Sequence, residues 1–272
     1  MTNRTEPLTL QGPHGPIAAS LVRPHGAGPF PAVLLLHEGI GLSGHLLGLA
    51  ERLAEAGYVS LVPDLYTRDS ARKALSEAEV IRFLPLARAA QRGALLAALP
   101  DEAQDSARRV VAWFDGRDSS TYLPDALAAA SFLRRHRAVR SDAVASIGFS
   151  QGGGLSAQLS TSDAGLAAGV IFYGSGPALE QAAQVRYPLL GHYAEHDPSI
   201  TPQAPALAER LRAIGKQFTT FVYFATEHGF FNPARPSFRR EAAELAYERT
   251  LHFLVEHLSD QPSRSNAQSA SI

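Results

Sequence analysis

Gly148-Phe149-Ser150-Gln151-Gly152 is the segment most able to do chemistry. It fits the G-x-S-x-G pattern, in which a sharp strand-to-helix turn presents a serine hydroxyl. Side chains two positions either side of the serine would meet neighbouring backbone, so glycine at 148 and 152 fits that turn. A purely structural or phosphate-cradling turn is the competing reading, but no Lys-Ser or Lys-Thr follows to complete a phosphate loop. A serine hydroxyl needs a base, and the base needs an orienting acid. Downstream, Asp197 stands in a strand-exit loop within 191–198, and His228 stands in the next such loop, within 225–230. Glu195 is the rival acid; Asp197 lies further into the loop and just before Pro198, where a turn can aim it back. His252 and His257 fall on the final helical pattern. An oxyanion formed at Ser150 needs two backbone N–H donors. Gln151, opening the helix, supplies one, and Gly39, in the loop His37-Glu38-Gly39-Ile40-Gly41, is the candidate for the other.

No metal or cofactor is expected. His192 and His196 are four apart but in a strand-to-loop stretch, and His37-Glu38 is not followed by the second histidine of a zinc helix.

These residues need a frame that brings three loops together. Short apolar bursts at 17–22, 32–37, 59–62, 144–149, 167–173, 187–193 and 218–223 read as strands. Several are almost wholly apolar, as strands covered on both faces must be. Helical patterns at 46–56, 123–136, 151–160, 202–214 and 238–258 alternate with them. The expected fold is α/β, a mostly parallel central sheet with helices on both faces. Residues 69–118 interrupt the rhythm and read as two helices broken near 99–101, a helical excursion that either roofs a pocket or packs on the surface. Residues 1–258 read as one domain, and the Ser/Asn/Gln/Pro-rich stretch 259–272 as a disordered tail.

Composition narrows the classes. The chain has 272 residues, a formal net charge of −1 and no cysteine, so it offers no thiol nucleophile and no basic footprint for nucleic acid or an anionic membrane. The densest basic cluster, residues 134–137, sits at a helix end, where cations favour the dipole. The N-terminus lacks an apolar signal core and no apolar run approaches a bilayer's thickness, so a cytoplasmic location is expected.

Five blocks resemble the dienelactone hydrolase family of α/β-hydrolases. They are Leu35-Leu36-His37-Glu38 with Gly41; Gly57-Tyr58 with Val62-Pro63-Asp64-Leu65-Tyr66 and Arg68; the elbow 148–154; residues 191–197; and His228-Gly229-Phe230. The last helix, with Glu248-Arg249-Thr250 and Phe253-Leu254, is similar too. The resemblance implies the same triad of Ser150, Asp197 and His228. It also implies that Glu38 lies beside the nucleophile and that Arg68 contacts a substrate carboxylate. Two positions depart from the pattern. Ser150 stands where the best-known members have cysteine, and Asn232 stands where dienelactone-cleaving members carry a second arginine, with Arg235 three residues later. Tyr66 and Phe230, with Tyr122, Trp113, Phe114, Tyr173 and Phe231, are aromatic candidates for a pocket lining.

The expected activity is hydrolysis of a small carboxylic ester or lactone through an acyl-enzyme on Ser150, by a monomer or homodimer. Thioester, amide or peracid chemistry on the same triad is the alternative, and a non-catalytic binding protein on this fold is a third.

Overall fold

A computed structural model describes residues 4–259. The 259–272 tail therefore lies outside the described residues apart from Ser259. The strands are β1 (Arg4–Gly12), β2 (Gly15–Arg23), β3 (Phe30–Leu36), β4 (Val59–Pro63), β5 (Val139–Phe149), β6 (Ala168–Phe172), β7 (Leu189–His196) and β8 (Phe218–Glu227). They form one sheet in the order β1-β2-β4-β3-β5-β6-β7-β8. Pairing is antiparallel for β1–β2 and β2–β4 and parallel from β4 through β8. Every residue of β6 is buried, as are the last seven of β5, which matches their unbroken apolar runs.

β1 is absent from the strand set read from sequence. Its Pro7 argues against an interior strand, but β1 lies at the sheet edge, where a missing N–H costs no ladder bond.

The helices are α1 (Gly44–Glu55), α2 (Ser70–Lys73), α3 (Glu77–Arg88), α4 (Arg92–Ala97), α5 (Asp101–Gly116), α6 (Tyr122–Arg135), α7 (Gln151–Thr161), α8 (Ala204–Ala213) and α9 (Arg240–Leu258). One apolar layer packs residues of α6 and α7 with those of α3 and α5, and the opposite layer holds α1 and α9. No helix among the described residues is long and apolar enough to cross a membrane.

The 69–118 segment carries four helices where two were expected. Ser76 opens α3 with a capping box, its hydroxyl accepting from Glu79 N while the Glu79 carboxylate accepts from Ser76 N, so the chain restarts there. Pro100 precedes α5, which accounts for the break at 99–101. Trp113 Nε1 donates to Asp69 Oδ2 at 2.7 Å, and Arg72 Nε donates to Ile40 O at 3.0 Å. The first bond ties the excursion's two ends together and the second ties it to the loop after β3, so it roofs that edge of the sheet.

Candidate functional site

The parallel register brings the C-terminal ends of β3, β5, β6, β7 and β8 to one edge. Ser150 follows β5 directly, with φ +51° and ψ −110°. That backbone is costly for a residue with a side chain, by about 1–3 kcal/mol, and is held by packing on both sides. A Cβ on Gly148 would lie 1.9 Å from Gly152 O, and one on Gly152 would lie 2.2 Å from Leu36 O. Both glycines are therefore required by the close passage of β3, β5 and α7. Ser150 N donates to Phe172 O at 2.8 Å, anchoring the turn to β6. Its hydroxyl makes no capping bond to α7 and is left free to face outward.

Ser150 Oγ lies 2.8 Å from His228 Nε2, and His228 Nδ1 lies 2.7 Å from Asp197 Oδ2. A carboxylate only accepts, so Nδ1 carries the proton and Nε2 accepts from the serine hydroxyl. Asp197 is 4% exposed, and its backbone carbonyl accepts from Ile200 N and Thr201 N, which closes the loop after β7. Glu195, the rival acid, instead accepts from Ala225 N at 2.8 Å. Ser150, Tyr173 and Ala225 are the non-glycine residues with positive φ among those described. Two of them immediately follow β5 and β6, and the third lies near the end of β8, so the backbone strain sits on the edge that carries this constellation.

Gln151 is the first residue of α7, where a backbone N–H has no intrahelical partner. Gly39 is its neighbour across the site. Tyr66 Oη lies within hydrogen-bonding distance of both Gly39 O, at 3.3 Å, and Gln151 Oε1, at 3.2 Å. Burial pushes the Tyr66 phenol up, so it stays protonated. His37 sets the loop's course: its Nδ1 meets Glu38 O at 2.7 Å and its Nε2 accepts from Leu65 N at 3.1 Å. Burial lowers its pKa, which keeps the ring neutral and able to accept that bond.

Glu38 is gripped on both oxygens. Oε1 accepts from the Tyr173 hydroxyl at 2.8 Å, and Oε2 accepts from Arg235 Nε at 2.8 Å and Nη2 at 2.6 Å. Burial, and then the adjacent carboxylate, raise the Tyr173 phenol well above its ordinary pKa, so it serves as a donor. The arginine three residues past Asn232 thus reaches Glu38. Asn232 itself is buried, and its Oδ1 accepts from Ala234 N at 2.9 Å.

Two expected contacts lie elsewhere. Arg68, expected at a substrate carboxylate, is ion-paired to the buried Asp125 and donates to Pro16 O at 3.1 Å. Its charge is already neutralised within the fold. Phe230, expected in the pocket lining, is fully buried behind Tyr173, with ring centroids 5.5 Å apart, and supports the loop from inside. A cation that sequence reasoning missed stands at the site instead. A Cβ on Gly39 would lie 3.0 Å from Arg88 Nη2 and 3.4 Å from Leu84 Cδ2. Arg88 hydrogen-bonds no carboxylate among the described residues. Its position was illegible because α3 belongs to the excursion, whose docking has no sequence motif. Among the described residues no group of three or more His, Asp or Glu is placed to hold a metal.

The dienelactone hydrolase family model matches residues 17–258. This chain belongs to the dienelactone hydrolase family. A protein of Saccharolobus solfataricus named "Putative carboxymethylenebutenolidase" is 30% identical over 248 residues, covering 88% of this chain and 93% of that one. The carboxymethylenebutenolidase of Pseudomonas putida is 24% identical over 262 residues, covering 95% and 99%. Among solved structures, a dienelactone hydrolase-like promiscuous phosphotriesterase from metagenomic libraries superposes with a TM-score of 0.70 at 18% identity, covering 94% of this chain and 99% of that one. That likeness establishes the shared α/β-hydrolase fold.

Proposed function

We propose that this member of the family is a serine hydrolase that cleaves a small carboxylic ester or lactone through an acyl-enzyme on Ser150. The observation that carries the reading is the unbroken chain Ser150 Oγ–His228–Asp197, at 2.8 and 2.7 Å, mounted on a strained turn. His228 Nε2 takes the proton as Oγ attacks the carbonyl carbon, and Asp197 holds the imidazole and stabilises its charged form. The Gln151 and Gly39 amides receive the oxyanion. His228 then protonates the leaving alkoxide, and water, activated by the same ring, hydrolyses the acyl-enzyme.

The Glu38–Arg235–Tyr173 cluster is a fixed element in this scheme. With both carboxylate oxygens engaged, Glu38 does not compete with His228 for the serine proton. Arg88, beside Gly39 and without a carboxylate partner, is the group that would meet an anionic substituent on the acyl portion. The names of the lactone-cleaving relatives support this choice of substrate class.

The test is hydrolysis of p-nitrophenyl acetate and butyrate by wild type and Ser150→Ala, with a small lactone carboxylate alongside. Turnover by wild type alone supports the reading, and a lactone rate selectively reduced in Arg88→Gln places the anion site. Equal activity in wild type and Ser150→Ala would remove Ser150 from the chemistry.

A further inference from the structure

The sheet has two edges, β1 and β8, and they are built differently. β1 carries Pro7, which has no N–H to offer, and the charged Glu6, ion-paired to Arg23. Such residues keep an edge strand from pairing with another chain. β8 has neither device. No charged residue and no proline occurs from 217 to 226. Phe224 is 85% exposed and Val222 is 54% exposed.

The backbone of that edge is open as well. Leu189 N donates to Gln217 O at 3.0 Å, and Leu189 lies opposite Phe218. In a parallel ladder this sets the odd-numbered residues of β8 to bond toward β7. The N–H and C=O groups of Phe218, Thr220 and Val222 therefore point away from the sheet, and among the described residues nothing bonds to them. Side chains alternate in the same way. Phe221 and Tyr223 join the layer of α9, where Arg249 lies 3.9 Å from the Phe221 ring centroid. Phe218, Thr220, Val222 and Phe224 take the other face, on which Phe218 packs into the layer of Leu207 and Leu211 of α8.

The two ends of this edge carry opposite charge. Beside its start, between α8 and β8, a groove of about 500 Å³ has Ala208, Glu209, Arg212, Lys216, Phe218 and Thr219 in its walls. Two cations against one carboxylate leave the groove net positive. At the far end stand the exposed Glu227 and also Glu195, whose carboxylate accepts from Ala225 N at 2.8 Å. The strand thus runs from a basic groove, through an uncharged stretch with a bare aromatic, to an acidic end.

We infer that β8 is the interface between two copies of this chain, paired antiparallel about a two-fold axis near Phe221, so that their sheets run on as one. Phe224 of each copy then lies opposite Phe218 of the other, at the mouth of the groove. Thr220 of each copy lies opposite Val222 of the other, and their free N–H and C=O groups bond across the axis. The acidic end of each copy meets the basic groove of the other, and the symmetry makes every such contact twice. Parallel pairing would set the acidic ends side by side.

Sedimentation equilibrium on the intact chain tests this. Wild type at micromolar concentration is expected at twice the 29.1 kDa of one chain. Phe224→Lys changes a residue that already faces solvent, so the far-UV circular dichroism spectrum should persist while the dimer weakens about tenfold or more. Arg212→Glu and Glu227→Lys should each weaken the dimer, and the two combined should restore most of it, because the exchange keeps opposite charges facing across the axis. The chain has no cysteine, so Val222→Cys places a single thiol beside the axis. A short bismaleimide should join two copies of Val222→Cys but not two copies of Leu95→Cys, an exposed position on α4. Wild type that stays monomeric through the high-micromolar range overturns the inference. So does a dimer that Phe224→Lys leaves intact, a Val222→Cys protein that the linker does not join, or a double charge exchange that restores nothing.

Discussion

His228 and His192 are each held at both ring nitrogens, and each meets a hydroxyl. His228 lies between the Ser150 hydroxyl and the Asp197 carboxylate at the C-terminal edge of the sheet. His192, within β7, lies between the hydroxyls of Tyr223, at 2.8 Å, and Thr250, at 3.0 Å. The Thr250 hydroxyl donates to Ala246 O, so it accepts from His192 Nε2, and Nδ1 accepts from Tyr223. The second ring is fully buried, and burial followed by the nearby Arg249 lowers its pKa to about 3. A histidine–hydroxyl pair therefore does not make a general base. In the proposed mechanism, what distinguishes His228 is a carboxylate to stabilise the imidazolium and a place at a strand end, where a substrate would reach the hydroxyl.

The comparison breaks most sharply at the acid. Asp197→Asn keeps the shape but favours the wrong tautomer of His228, and kcat should fall about ten-thousand-fold with little change in folding. Ester hydrolysis and thermal unfolding on the same preparation check this. An equally isosteric change at Thr250 should leave kcat within a factor of two or three.

The next effect separates charge from hydrogen bonding near Ser150. Arg235→Leu leaves Glu38 buried, with only the Tyr173 hydroxyl still on it. Breaking a buried pair in this way costs about 3–5 kcal/mol, readable by urea denaturation. Arg235→Leu combined with Glu38→Gln should recover much of that loss.

His192 gives the third. Its pKa is depressed in the folded state, so the unfolded chain binds its proton first. The stability due to the neutral ring is fully present above pH 6.5 and is lost progressively as pH falls toward about 3. The slope from this one group approaches about 1.4 kcal/mol per pH unit between those limits. His192→Gln should flatten the stability profile there, whatever it does to absolute stability at pH 7. The smallest effect is Thr250→Val, which leaves the His192 Nε2–H without an acceptor and should cost about 1–3 kcal/mol, with no change in KM.

The same contrast shows what a sequence carries. Ser150, Asp197 and His228 were legible because each sits just past an apolar burst, and parallel strands deliver their exits to one edge. The elbow glycines were legible because close backbone passage admits no side chain. The partners of Glu38 were less so, since Arg235 and Tyr173 come from separate loops and their meeting depends on tertiary docking. Arg68 was misplaced because a resemblance fixes a residue's position in the chain but not its partner, and the buried Asp125 on α6 takes its charge. Phe230 was misplaced because an aromatic beside a candidate triad histidine looks the same in sequence whether it faces the pocket or the core. Two of the 69–118 helices carry side-chain caps, at Asp69 and Ser76, but none carries a motif, so Arg88 emerged only with the packing.

The most direct test of the central claim is to trap the intermediate. Wild type and Ser150→Ala are mixed with p-nitrophenyl butyrate, quenched in acid within the first turnover, digested and analysed by mass spectrometry. The account predicts a butyryl group on the peptide containing Ser150 in wild type, formed with a burst of p-nitrophenol and absent from Ser150→Ala. A butyryl group on another residue, or turnover by wild type with neither burst nor adduct on Ser150, would contradict it.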